Sequence, residues 1–424
     1  METMKILKPF GKHRLFFWSI AITILTLYNL TPSIGSFDTH YYFIAGEHLW
    51  NGELDCLRTP VYPLSLKVFG VCFGEKGGIA GIVIFQSIVY VLSIFSMHRL
   101  LVRALKNGIL QYALILFYVS CIAPGWCNEL TTESLSISGV IILTDLLFQF
   151  IDKPSWSKNI LLQLLLLFLV FLRPTFILFY VLFALTFIIK LLKAEHKKPY
   201  IVALALTLAG ILCFGGYAQL YKNKYGIQGT TATFVFNKIY DAHRGGYWDI
   251  SAVARPDCRR WIDSVDQSYT NNYGVVYDII TRHPESMPLI NEGCDGIMQS
   301  HLKEHRMYRI ELFVSSFDKR FLAAVNTHTP LSAMLFATTL FLSFPLSIFY
   351  LLTLVAAIIL VIKIFRRNKP SLLFAFITTA IFAHTFGIAL TTSDSFERLL
   401  LPVYPLFLVL LGIALEKFFE FAKH

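Results

Sequence analysis

Residues 160–190 read ILLQLLLLFLVFLRPTFILFYVLFALTFIIK, an apolar run interrupted only where Arg173 meets Pro174. Runs of about 18 to 20 apolar residues match the thickness of a bilayer crossed as a helix. Proline disfavours a helical residue before it, so the stretch reads as two spans joined by a tight hairpin at Arg173-Pro174; one kinked span is the alternative. Similar runs recur along the chain. They place about ten spans, near residues 15–34, 79–97, 109–123, 134–151, 160–173, 174–190, 200–218, 345–362, 371–390 and 399–415.

Composition agrees. Of the 424 residues, 55% are hydrophobic and only 15% charged, against about 25% charged in soluble domains; the mean hydropathy is +0.60. The expected fold class is therefore an all-α polytopic membrane protein. A formal charge of +10 would suit nucleic acid if the cations were clustered on a soluble surface. They instead bracket the apolar runs, as in Arg99, Arg103 and Lys106, in Lys190, Lys193, Lys197 and Lys198, and in Lys363, Arg366, Arg367 and Lys369, which is orientation information. With the basic amino terminus cytoplasmic, alternating spans place these loops in the cytoplasm; nucleic acid is not an expected partner.

Three regions follow: residues 1–219 with an external loop at 35–78, an external soluble-like segment at 220–330, and a second membrane region at 331–424. In the first loop, Tyr41 to Trp50 suits an interfacial helix. The long segment carries helical periodicity from Ile297 to Leu322, and residues 331–344 suit a re-entrant or interfacial helix ahead of Pro345. Cys258 and Cys294 both fall in that segment, where a disulfide is chemically permitted. No Cys/His spacing suggests a metal site.

Ionisable groups near membrane depth are costly unless paired or facing a polar cavity, and here they gather on the expected external side. Asp38 follows the first span within SFDTHYY (36–42), beside Tyr41 and Tyr42. As a partly desolvated carboxylate its basicity is expected to rise, so that it could take a proton from an acceptor; a helix cap is the alternative. Asp55 and Glu129 lie in external loops. In RTPVYP (58–63), Arg58 and Tyr62 offer donors suited to phosphate, or form a turn into the membrane. Glu133 in TTESL (131–135) is either a site carboxylate or a cap. In ERLLLPVYP (397–405), Arg398 beside Glu397 could hold a lipid phosphate, snorkel to headgroups or pair with its neighbour. Arg173 shares that ambiguity, whereas His243 and Arg244 read as solvated.

Taken in order, Asp38, RTPVYP, TESL, the LRP of 172–174 and Glu397-Arg398 with Pro402 and Pro405 resemble the GT-C membrane glycosyltransferases, notably protein O-mannosyltransferases and the aminoarabinose transferases of lipid A. The likeness is strongest over the first 190 residues and the last 30. It implies inverting transfer of a sugar from a polyprenyl-phosphate carrier to a glycan, lipid or protein hydroxyl. Asp38 would be the base, Arg58, Tyr62, Arg173 and Arg398 would hold the donor, and Tyr41, Tyr42, Asp55, Glu129, Glu133 and Glu397 would support the site. Family members often carry an Asp-Glu pair where this chain has Asp38-Thr39, which leaves a divalent metal possible but not indicated. The resemblance also implies an envelope enzyme of a bacterial inner membrane with its site on the external face. The alternatives are a transporter or flippase, or a polymerase or ligase of lipid-linked saccharides.

Overall fold

A computed structural model describes residues 37–120, 123–268, 273–321, 345–366, 370–392 and 395–422. Among them there is no strand, only an isolated bridge between Arg320 and Pro345. The longer helices are α1 (Phe37–Trp50), α2 (Val61–Ala104), α3 (Gly108–Ser120), α4 (Glu133–Asp152), α5 (Trp156–Leu172), α6 (Ile177–Lys193) and α7 (Lys198–Tyr225). Residues 233–315 add α8 (Thr233–Arg244), α9 (Pro256–Ser268), α10 (Tyr273–Arg282), α11 (Met287–Ser300) and α12 (Leu302–Ser315). The chain closes with α13 (Leu346–Phe365), α14 (Leu372–Thr391) and α15 (Tyr404–Phe421).

Eight helical segments among the described residues are long and apolar enough to cross a membrane, and α5 is a shorter apolar helix. The fold is that of an all-α polytopic membrane protein. The expected first span (15–34) and the apolar stretch 331–344 lie outside the described residues. Many large apolar side chains point outward, including Leu212, Leu351 and Phe365; lipid rather than water is the solvent that suits them.

At Arg173 the backbone turns extended, with φ −145° and ψ 115°, and a 3-10 turn, Pro174–Phe176, leads into α6. The apolar run of 160–190 is thus two helices. Helix α2 is also interrupted, at Gly74, whose φ of 74° and ψ of 170° suit a residue without a side chain. The chain folds back there so closely that a Cβ on Gly78 would lie 2.6 Å from the Gly70 Cα. Residues 61–73 therefore join α1 outside the main span.

Two apolar cores result. One fills the membrane bundle. The other is built on residues 227–297 and takes in Tyr41, Cys56 and Leu57 from the region before α2 and Tyr221 and Tyr225 from the end of α7. The membrane helix thus runs past residue 219 to Tyr225, where Gly226 caps it with φ 72°. Cys258 and Cys294 are buried in this second core as free thiols. Helix α1 is the seam, since Tyr41 belongs to the outer core while Tyr42 belongs to the inner.

Candidate active site

Five side chains from four separate stretches meet at this seam. Asp38, in the first turn of α1, accepts from Arg58 Nη2 on Oδ1 and from Arg398 Nη2 on Oδ2, each at 2.5 Å. Arg398 Nε also donates to Glu133 Oε1 at 2.6 Å, and Arg173 Nη2 donates to the same oxygen at 3.1 Å. The chain runs Arg58–Asp38–Arg398–Glu133–Arg173, three guanidiniums threaded by two carboxylates.

Local chemistry aims each member. The Asp55 carboxylate accepts the Leu57 and Arg58 N–H groups at 2.8 Å each, an Asx-type turn that fixes the backbone from which Arg58 projects. The Arg58 guanidinium lies 4.6 Å from the Tyr42 ring centroid, a cation–π contact. Arg173 occupies the extended position that Pro174 imposes on its predecessor. Glu133 opens α4, where the positive end of the helix dipole favours its charge. Arg398 sits on the single turn Phe396–Leu399, which follows Ser395 at φ 59°.

The side chains of Asp38, Arg58, Arg173 and Arg398 are 16, 14, 13 and 26% exposed and that of Glu133 is not exposed at all, so the network is largely desolvated. Buried ion pairs of this kind are held by their hydrogen bonds, and removing one partner typically costs about 3–5 kcal/mol. Donor capacity remains, because Arg58 Nε and Arg173 Nη1 are buried without an acceptor among the described residues. The network borders a cavity of about 540 Å³, walled by Leu172, Ile177, Leu178 and Ile388 from the apolar bundle and by Thr230, Phe234 and Asn237 from the stretch around α8.

One electrostatic expectation is reversed. Burial alone would push the Asp38 carboxyl up, but the charges and hydrogen bonds of Arg58 and Arg398 outweigh it and hold the carboxyl well below the usual carboxylate range. In this arrangement Asp38 is a firmly ionised, weak base.

Other expected members are placed elsewhere. Tyr62 is buried, its hydroxyl donating to Gln86 Oε1 at 3.0 Å, and Gln86 Nε2 in turn donates to the Cys127 and Glu129 carbonyls. It braces the loop of Glu129 and does not line the cavity. Tyr41 turns to α10, with its hydroxyl 3.5 Å from Asp278. Glu397 pairs with Lys319 at 3.1 Å, and Asp55 serves the turn before Arg58 while also meeting His48 at 3.0 Å. His243 is not simply solvated: it stacks on Trp248 at 3.9 Å, and burial pushes its pKa down to about 4 despite Asp266.

Sequence reasoning missed the residues that clamp α8 and α12 to the end of α14 beside the cavity. Arg309 bonds Asp241 at 3.2 Å and the Thr392 and Ala389 carbonyls at the end of α14, and Asn237 bonds the Thr391 carbonyl. No local pattern marks them, since their partners lie 68 to 154 residues away and most are backbone carbonyls. Among the described residues no three His, Cys, Asp or Glu side chains converge as metal ligands would. Each oxygen of Asp38 already accepts from a guanidinium.

No family model and no curated protein sequence matches the chain. A solved structure that resembles it is an archaeal oligosaccharyltransferase, AglB from Archaeoglobus fulgidus, in complex with an inhibitory peptide and a dolichol-phosphate. Identity is 11% and the TM-score 0.47, over 97% of this chain and 52% of that one, so the chain spans about half the length of that structure. At that distance the functional reading rests on the site itself.

Proposed function

We propose that the protein is an inverting membrane glycosyltransferase that moves a sugar from a polyprenyl-phosphate carrier to a hydroxyl of a glycan, lipid or protein acceptor, on the external face of a bacterial inner membrane. The observation that carries this reading is the Asp38 carboxylate held between Arg58 and Arg398 at the edge of a cavity bounded by both membrane and external residues. Three guanidiniums against two carboxylates leave room for an anion, and arginine is well matched to phosphate.

On this reading the donor phosphate takes over hydrogen bonds from Arg58 and Arg398. The Asp38 carboxylate, relieved of part of that stabilisation, regains basicity only when donor is bound. It accepts the acceptor's hydroxyl proton as that oxygen bonds to the anomeric carbon. The bond from that carbon to the phosphate oxygen breaks, and the lipid phosphate departs with its electron pair, its growing charge stabilised by the arginines. Glu133, buried and bonded to Arg173 and Arg398, positions both cations. The Thr230–Asn237 stretch lines the cavity from outside the membrane, where the acceptor would enter.

The direct test is mass spectrometry of lipid-linked and envelope glycans from cells with and without the gene, followed by transfer assays with the purified protein. Glycosyl donor accumulating in the deletion strain, and release of polyprenyl phosphate in vitro, are expected. Unaltered glycans together with movement of an intact lipid-linked sugar across vesicles would support a transporter instead.

A further inference from the structure

A second cavity, of about 880 Å³, opens at the opposite end of the bundle. The same helices reach both. Helix α4 begins at Glu133 in the ion network and reaches the second cavity at Asp152, 19 residues on, about 28 Å at 1.5 Å per residue and so close to one hydrocarbon thickness. Helix α6 lines the first cavity with Ile177 and the second with Lys190, and α14 does so with Ile388 and Leu372.

The walls of this chamber are apolar, contributed by side chains such as Phe148, Leu352 and Ile359, and its lining also holds four cations, Arg103, Lys190, Lys363 and Lys417, against one carboxylate, Asp152. Arg103 is committed to Asp152 through two hydrogen bonds, one of 2.9 Å. Lys417 shares the charge of Glu420. Lys190 and Lys363 have no carboxylate partner among the described residues, and Lys363 Nζ stands 5.8 Å from the Phe374 ring centroid. An apolar chamber between membrane helices with excess cations at a bilayer boundary matches an amphiphile with hydrocarbon tails and an anionic head. Its volume lies within the range of specific small-molecule sites, about 300–1,000 Å³.

We propose that this cavity binds an anionic glycerophospholipid from the leaflet opposite the Asp38 network, an acyl chain lying between the helices and the headgroup phosphate held by Lys190 and Lys363. The bound lipid bridges α4, α6, α13 and α14 and thereby braces three helices, α4, α6 and α14, that carry the ion network or line its cavity. The inference stands apart from the proposed transferase activity.

The test uses the full chain, purified and stripped of lipid in detergent, and titrated with phosphatidylglycerol or with phosphatidylcholine of the same acyl chains. Native mass spectrometry and thermal unfolding provide the readouts. One phosphatidylglycerol is expected to be retained with a rise in Tm, and phosphatidylcholine should bind at least tenfold more weakly. Lys190→Gln with Lys363→Gln should weaken phosphatidylglycerol about tenfold or more, since each lysine near a surface favours anionic lipid. Lys190→Arg with Lys363→Arg should retain it. Lys153→Gln with Lys197→Gln removes equal charge from exposed positions at the same end and should also leave it unchanged. Equal binding of the two lipids, equal losses in both glutamine pairs, or a Tm rise reproduced by inorganic phosphate alone would each overturn the proposal. Should the Lys190 and Lys363 glutamine variant fail to fold, the comparison of the two lipids on the unaltered protein still decides.

Discussion

Asp38→Asn separates a base from a structural salt bridge, because the two roles move donor binding in opposite directions. Asparagine keeps the size of the side chain but ends its charge, leaving Arg398 with Glu133 and Arg58 with the Tyr42 ring. Each charge-assisted hydrogen bond lost from Asp38 is worth about 1.5–3 kcal/mol, and Arg58 is left as a buried cation without its carboxylate. The free variant should therefore melt earlier than the wild type. A donor phosphate no longer competes with the carboxylate for these guanidiniums, so polyprenyl phosphate should bind more tightly by on the order of 1–3 kcal/mol, about 5- to 150-fold in Kd. Transfer should nonetheless fall by about 10² to 10⁴, the usual contribution of a general base. Thermal shift with polyprenyl phosphate gives the affinity, and mass spectrometry of the acceptor gives the rate. Transfer within threefold of wild type removes Asp38 from the chemistry. A fall in rate that merely follows weaker lipid binding makes it a scaffold residue and refutes the argument.

Further expectations concern the neighbours. Arg398→Ala should raise the KM for the lipid donor at least tenfold with less effect on acceptor KM; an unchanged donor dependence would remove it from the phosphate site. Tyr62→Phe loses only the hydrogen bond to Gln86, so stability should drop by about 1 kcal/mol with donor KM unaltered, and a donor defect would mean that Tyr62 reaches the cavity after all. Asp241 gives a pH signature: burial raises its pKa to about 6 although Arg309 opposes the rise. Its protonated form is favoured by folding, so the stabilisation is full below the unfolded value near 4 and is lost as pH rises through about 6, amounting to at most about 3 kcal/mol. Between pH 5 and 7 the Tm of the wild type should fall relative to that of Asp241→Asn; parallel curves would show that Asp241 does not titrate in this range.

Segments such as 134–151 and 371–390 were legible in the sequence because hydropathy is a property of each segment alone, and the structure returns them as α4 and α14 within a residue or two. Arg173-Pro174 was legible for a similar reason, the steric effect of proline on its neighbour being local. Long apolar runs do not say where a helix folds back, and the break at Gly74 depends on how closely Gly70 and Gly78 can approach.

The sequence by itself determined that this chain lives in lipid, which segments are apolar enough to cross it, and that its acidic and guanidinium groups collect near the ends of those segments, because a charge left at membrane depth is costly wherever it sits. It could not determine which of them touch. Tyr62 is the expected phosphate neighbour and Tyr42 only a supporting residue on paper, yet Tyr62 faces Gln86 inside the bundle and Tyr42 faces Arg58. Asp38 and Arg398 are 360 residues apart, and only the packing of the bundle brings them to hydrogen-bonding distance. That same packing turns Asp38 from the basic carboxylate expected of a desolvated group into a strongly acidic one, because two cations at 2.5 Å outweigh the cost of burial.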